Sequence, residues 1–102
     1  MQYKLVIQFH PIAPTNFEDV VAVEEALIDA LGDSAIVDGH DIGSTEFNIF
    51  IFTDDPEGCF QHVWRLLQGL VPKGAIHVAY RDIGKEKYIV LWPPSLERFE
   101  IL

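Results

Sequence analysis

Four apolar residues in succession, Ile49-Phe50-Ile51-Phe52, lie within a stretch, Glu46–Thr53, that reads as a β-strand. Successive side chains of a strand point to opposite faces of its sheet, so this run needs apolar cover above and below. It predicts a central strand, flanked by others and packed on both sides. At 102 residues the chain can build one core around such a strand and not two. An apolar fraction of 49% excludes a disordered chain. A single domain is expected over residues 1–102, with a core of 1–92 and a C-terminal tail of 93–102.

The rest of the chain reads as elements fitted to that strand. Tyr3–Phe9 alternates, with Tyr3, Leu5, Ile7 and Phe9 on one side and Lys4, Val6 and Gln8 on the other. Pro11 and Pro14 end it, since neither has an N–H for a ladder. Thr15 and Glu18 have capping-box spacing, and Phe17, Val20, Val21, Leu27, Ile28 and Leu31 form an apolar helical stripe. Gly32 suits the residue just past the helix end. Ala35–Ile42 is the first strand of a hairpin, with Gly39 marking a bulge, and Gly43-Ser44-Thr45 supplies the turn. Asp55 as N-cap, Pro56 at the first helical position and Glu57 beside the positive dipole end start a second helix. Its apolar contacts are Phe60, Val63, Trp64, Leu66, Leu67 and Leu70, and Gly69 closes it. Pro72-Lys73-Gly74 is a turn, Ala75–Ile83 a fourth strand, and Tyr88–Trp92 a fifth after a turn at Gly84-Lys85-Glu86.

This element order resembles the ferredoxin-like α/β plait, over Tyr3–Ile83 and by order alone. The resemblance implies an α+β, two-layer βαββαβ sandwich with both helices on one face. With the fifth strand added, its mainly antiparallel sheet runs 5-4-1-3-2. Two helices on one face leave Val6, Phe50 and Phe52 on the other, a patch that a monomer rarely leaves bare. A second copy of the chain, the tail (apolar at Leu96, Phe99, Ile101 and Leu102) or another protein is expected to cover it.

Charge is distributed unevenly. Residues 1–57 hold twelve acidic residues and one basic residue, Lys4, whereas residues 58–102 hold four acidic and six basic, for a net of −9. Such a field opposes nucleic acid and anionic lipid, which are bound through Lys and Arg, and favours a basic protein. No apolar run approaches the length of a membrane span. The start, MQYKLVIQFH, has neither the basic opening nor the small-residue cleavage site of a secretory signal, and Cys59 has no second cysteine to pair with. A cytoplasmic protein is expected.

Asp38-Gly39-His40-Asp41, with Glu46 across the turn, is the densest group of reactive side chains. A regular strand places Asp38 and His40 on one face, but the spacing fits no zinc or EF-hand pattern, so no metal or other cofactor is expected. His77 is expected on the uncovered face beside Arg81, while His10 and His62 read as structural or solvated. Cys59 lies in the first turn of the second helix, where the dipole favours a thiolate, yet a sheet-facing core thiol is the plainer reading. No nucleophile elbow, phosphate loop or catalytic triad can be placed, so no catalytic residue is assigned.

The leading expectation is a non-enzymatic module that occludes a basic partner through its first helix and its hairpin. The contact residues would be Glu18, Glu25, Asp29, Asp38, His40, Asp41 and Glu46, with Val6, Phe50 and Phe52 as a separate sheet-face interface, homodimeric or otherwise. Small acidic immunity proteins that neutralise basic nucleases are similar in charge and size. A dimeric small-molecule-binding regulatory domain with its site at His10–Asn16 or between sheets is the alternative. A dimeric α/β-barrel enzyme using His77, Tyr80 or Trp92 is the third.

Overall fold

The computed structural model of the chain describes residues 2–10, 17–43, 46–68, 76–99 and 101, apart from the side chains of 17–20 and 42. Pro11, Pro14, Thr15, Ser44, Thr45, Gly69, Leu70 and Pro72 to Ala75 lie outside the described residues, as does the Glu18 side chain. The elements are β1 (Tyr3–Phe9), α1 (Phe17–Leu31) with a 3-10 turn (Gly32–Ser34), β2 (Ala35–Ile42), β3 (Phe47–Thr53), α2 (Pro56–Leu67), β4 (Ile76–Asp82) and β5 (Ile89–Trp92). The strands form one sheet in the order β2-β3-β1-β4-β5, antiparallel at every junction. Read from its other edge, that is the expected 5-4-1-3-2. The domain is α+β, with β5 added at one edge.

β3 lies between β2 and β1, as its two-sided apolar run requires. Its Phe47, Ile49 and Ile51 join Leu5, Ile7 and Phe9 of β1 and Ile76 and Val78 of β4 beneath the helices. Leu27 and Leu31 of α1 and Cys59, Val63 and Leu67 of α2 close this core from above. Phe9 and Phe47, opposed in the ladder, stack at 4.3 Å between ring centroids. Trp64 of α2 reaches Trp92 of β5 at 4.4 Å, tying the added strand to the helix layer.

Helix ends follow their local chemistry. The Asp55 carboxylate accepts a hydrogen bond from the Gly58 N–H at 3.1 Å, Pro56 starts α2, and Glu57 and Arg65 complement the dipole at its two ends. Gly32 takes φ of +54° after α1, the left-handed conformation that a residue without Cβ enters most readily. One expectation needs correcting. Ile28 is 52% exposed, and Val23, Leu27 and Leu31 carry the buried line of α1 instead. Ile28 is one position off that i, i+4, i+8 line, which turns it about 100° away from the sheet.

On the opposite face Val6 and Ala79 are fully buried beneath Phe99, itself only 8% exposed. Phe50, Tyr88, Val90, Leu96 and Ile101 surround them, with Tyr88 and Phe99 ring centroids 5.0 Å apart. Of the three covers expected for this face, the C-terminal tail occupies the position over Val6. Phe52 and its cross-strand neighbour Ile36 lie outside that cluster.

Candidate functional site

The hairpin of β2 and β3 is shaped by one extra residue. Val37 opposes Ile51 and Gly39 opposes the next residue back, Phe50, so two steps along β2 match one along β3. Gly39 has φ of +150°, a conformation that side chains with a Cβ rarely adopt, and it makes the bulge there. Beyond the bulge His40 opposes Ile49 on the helix side, where its Nδ1 donates to Glu24 Oε1 of α1. Asp38 stays on the tail-side face, near enough for its charge to act on Lys4. The regular-strand expectation that Asp38 and His40 share a face is therefore overturned, because the bulge shifts the alternation by one.

The acidic flank follows from this arrangement. Asp38 and Asp41 are exposed on β2, and Glu25 and Asp29 are exposed on α1. The His40–Glu24 hydrogen bond joins the two elements between them. Among the described residues, no Lys or Arg forms an ion pair with any of these four acids. Ile36, 55% exposed, lies beside the half-buried Phe52 on the same strand pair. Lys4 holds its ammonium 4.5 Å from the centroid of Phe50, and burial, followed by the charge of Arg81, lowers its pKa while Asp38 opposes the shift. The flank thus presents Ile36 and Phe52 with Asp38 close by on the edge strand, and further exposed carboxylates along β2 and α1. Acids on an edge strand also discourage pairing with another sheet.

Glu46 does not belong to that flank. It is 5% exposed, its carbonyl accepts the Gly43 N–H at 2.8 Å to close the hairpin, and its side chain lines a cleft under the tail. The cleft measures about 260 Å³ and is bounded by Gln8, His10, Glu46, His77, Leu96, Arg98 and Phe99. His10 Nε2 donates to Gln8 Oε1 at 2.8 Å, and the His10 and His77 ring centroids are 4.6 Å apart at 56°. Burial and then the neighbouring His10 lower the pKa of His77, against the pull of Glu46. Asn48, opposite Gln8 and 1% exposed, has a side-chain oxygen with no hydrogen bond among the described residues.

His77 lies on the expected face, but its meeting with His10 and Glu46 was not anticipated. The signal was present in the register: once β1 is placed between β3 and β4, residues 10, 46 and 77 fall at one end of the sheet. The remaining reactive group is isolated. Cys59 is buried among the helix-side residues, and burial, followed by the Asp55 charge, pushes its thiol up to about 11. That outweighs the thiolate-favouring dipole and leaves an inert core thiol. Among the described residues, no three His, Cys, Asp or Glu side chains are arranged to hold a metal, and no helix is long and apolar enough to cross a membrane. No protein-family model, curated protein or solved structure matches the chain, so the flank and the cleft must speak for its function through their own chemistry.

Proposed function

We propose that this chain is a non-enzymatic binding module, built as a ferredoxin-like plait with an added strand, that docks a basic protein in the cytoplasm. The supporting observation is the exposed Ile36 opposite the half-buried Phe52, with the exposed Asp38 two residues along β2, Asp41 farther along the same strand and Glu25 and Asp29 exposed on α1. An apolar centre with a charged rim is the usual anatomy of a protein interface. The carboxylates would steer a Lys- and Arg-rich surface into register, and Ile36 and Phe52 would supply the desolvated anchor. Occlusion of a basic active surface, as immunity proteins achieve it, is the mode of action that fits. Within the set named from sequence, Glu46 and Val6 leave the contact surface because both are buried, and His40 acts by holding β2 to α1.

The test is a partner screen followed by association kinetics in rising salt. A basic partner should bind with an on-rate that falls at least about tenfold as salt screens the flank. Asp38→Lys with Asp41→Lys should slow association further, while Ile36→Ser should mainly speed dissociation. A screen that returns only anionic ligands, or a complex indifferent to salt, would reject this reading. The cleft beginning at His10 favours a second one, a small-molecule site, selected by a ligand that raises the melting temperature with no protein partner present. A dimeric barrel enzyme needs a pocket enclosed between two sheet faces, and the tail lies where that pocket would form.

A further inference from the structure

Three strands carry a polar row across the face that the tail covers. Asn48 of β3 and His77 of β4 are the two cross-strand neighbours of Gln8 on β1. All three alternate away from the helix-side residues Phe47, Ile7 and Ile76. Gln8, His77 and Glu46, two residues before Asn48, line the cleft of about 260 Å³, so Asn48 lies against its floor between lining residues. Polar groups in the middle of a sheet are tolerated where each finds a partner. Gln8 Oε1 accepts from His10 Nε2 at 2.8 Å, and Glu46 keeps an interaction of its own. Asn48 Oδ1, on a residue only 1% exposed, has no hydrogen bond among the described residues.

A buried carbonyl oxygen without a donor, next to a carboxylate, suits a ligand that brings N–H groups and positive charge. The geometry points to a binding site for a small protonated primary amine in this cleft, its ammonium donating to Asn48 Oδ1 beside the Glu46 carboxylate and its carbon body lying on Leu96 and Phe99. An ammonium offers three donors and no acceptor, which matches a floor whose unmet need is a donor. The cleft is a little smaller than the ~300–1,000 Å³ typical of ligand sites, so the carbon body is short. A net charge of −9 draws cations toward the molecule. Arg98, which also lines the cleft and keeps an interaction of its own, is the feature that would favour an anion instead. This inference rests on the small-molecule reading of the cleft and names the ligand class; it does not depend on the acidic flank.

Butylamine, butanol and butyrate, alike in chain length, are titrated into the isotope-labelled full chain near neutral pH and followed by amide shifts. Butylamine should move Glu46, Asn48 and His77 and bind about tenfold tighter than butanol, the scale of a hydrogen bond to a charged group. Butyrate should not bind there. Asn48→Leu, similar in shape and without polar atoms, should weaken butylamine at least about fivefold without lowering the melting temperature, because it removes a buried oxygen that lacks a donor. An asparagine kept for the fold alone would lower the melting temperature and leave the amine bound. Should Asn48→Leu misfold, Glu46→Gln serves instead and should weaken butylamine while sparing butanol. Butanol binding as tightly as butylamine, or butyrate taking the cleft, would overturn the amine assignment and leave the small-molecule reading standing. Absence of butylamine shifts in the cleft, shifts confined to Glu25, Asp29 and Asp38, or undiminished binding by either variant would each overturn the inference.

Discussion

On one side of the sheet two helices cover Leu5, Ile7, Ile49 and Ile51, and on the other an irregular segment covers Val6 and Ala79. The helices satisfy their own backbone groups and bring Leu27, Leu31, Val63 and Leu67 into a continuous buried layer. The tail has a turn bond from the Leu96 N–H to the Pro93 carbonyl at 3.0 Å and rests on the sheet through side chains such as Phe99. Burial of single residues is equally complete on both sides, since Val6 and Leu5 are each 0% exposed. What differs is how much must come apart to expose them. The helices share their buried residues with the main core, whereas the tail meets the sheet through a small cluster of its own. Complete burial is therefore no measure of how firmly a cover is held.

Neighbouring residues of β3 provide the sharpest way to break that comparison. Ile51→Ala, on the helix side, should cost about 3 kcal/mol or more in urea unfolding, as buried Ile-to-Ala changes do. Phe52→Ala, one residue on and half-exposed on the other side, should cost less than about 1.5 kcal/mol despite the larger deletion. Equal losses would mean that the two faces are equally integral. Phe99→Ala should fall between them, at about 1–2 kcal/mol, with protection lost first in the tail. If β1 and β4 lost protection at the same rate, the tail would be part of the cooperative unit. Asp55→Ala should remove about 1 kcal/mol by uncapping α2, and the loss should appear in the global transition because α2 packs into the main core.

The smallest expected effect lies at the turn between β4 and β5. Asp82 Oδ1 accepts from the Gly84 N–H at 2.8 Å and from Gln2 Nε2 at 2.7 Å, and these bonds hold its carboxyl below the usual carboxylate value. A depressed pKa in the folded state contributes stability above 3.8 that is lost as pH falls through the lowered value. Asp82→Asn should therefore slightly lower stability at neutrality and flatten the acid limb of a pH–stability curve, the variant and the native chain converging as pH falls. A loss at pH 7 equal to that at pH 3 would assign the turn's stability to geometry instead of charge.

Features encoded within a few neighbouring residues were legible beforehand. The central place of β3 follows from its apolar run, the α2 cap from Asp55-Pro56-Glu57, and the bulge from a glycine inside a strand. The face taken by Ile28 was misread, since one step around a helix separates core from solvent and apolarity does not register it. His10, Glu46 and His77 belong to three strands far apart in sequence, and only their register brings them together. The exposed carboxylates were correctly placed on β2 and α1, but Glu46 was counted with them because its burial depends on the tail. An irregular segment docking through side chains leaves no periodic trace, so the tail was only one of three covers expected.

The extra residue at Gly39 has a larger consequence than its local bend. It works as a sorting device, sending one polar group of the hairpin inward to clasp a helix and the next outward to meet whatever approaches. Shortening the hairpin by that single residue would make one half of β2 trade sides with the other, burying acid under the helices and turning the clasp toward water.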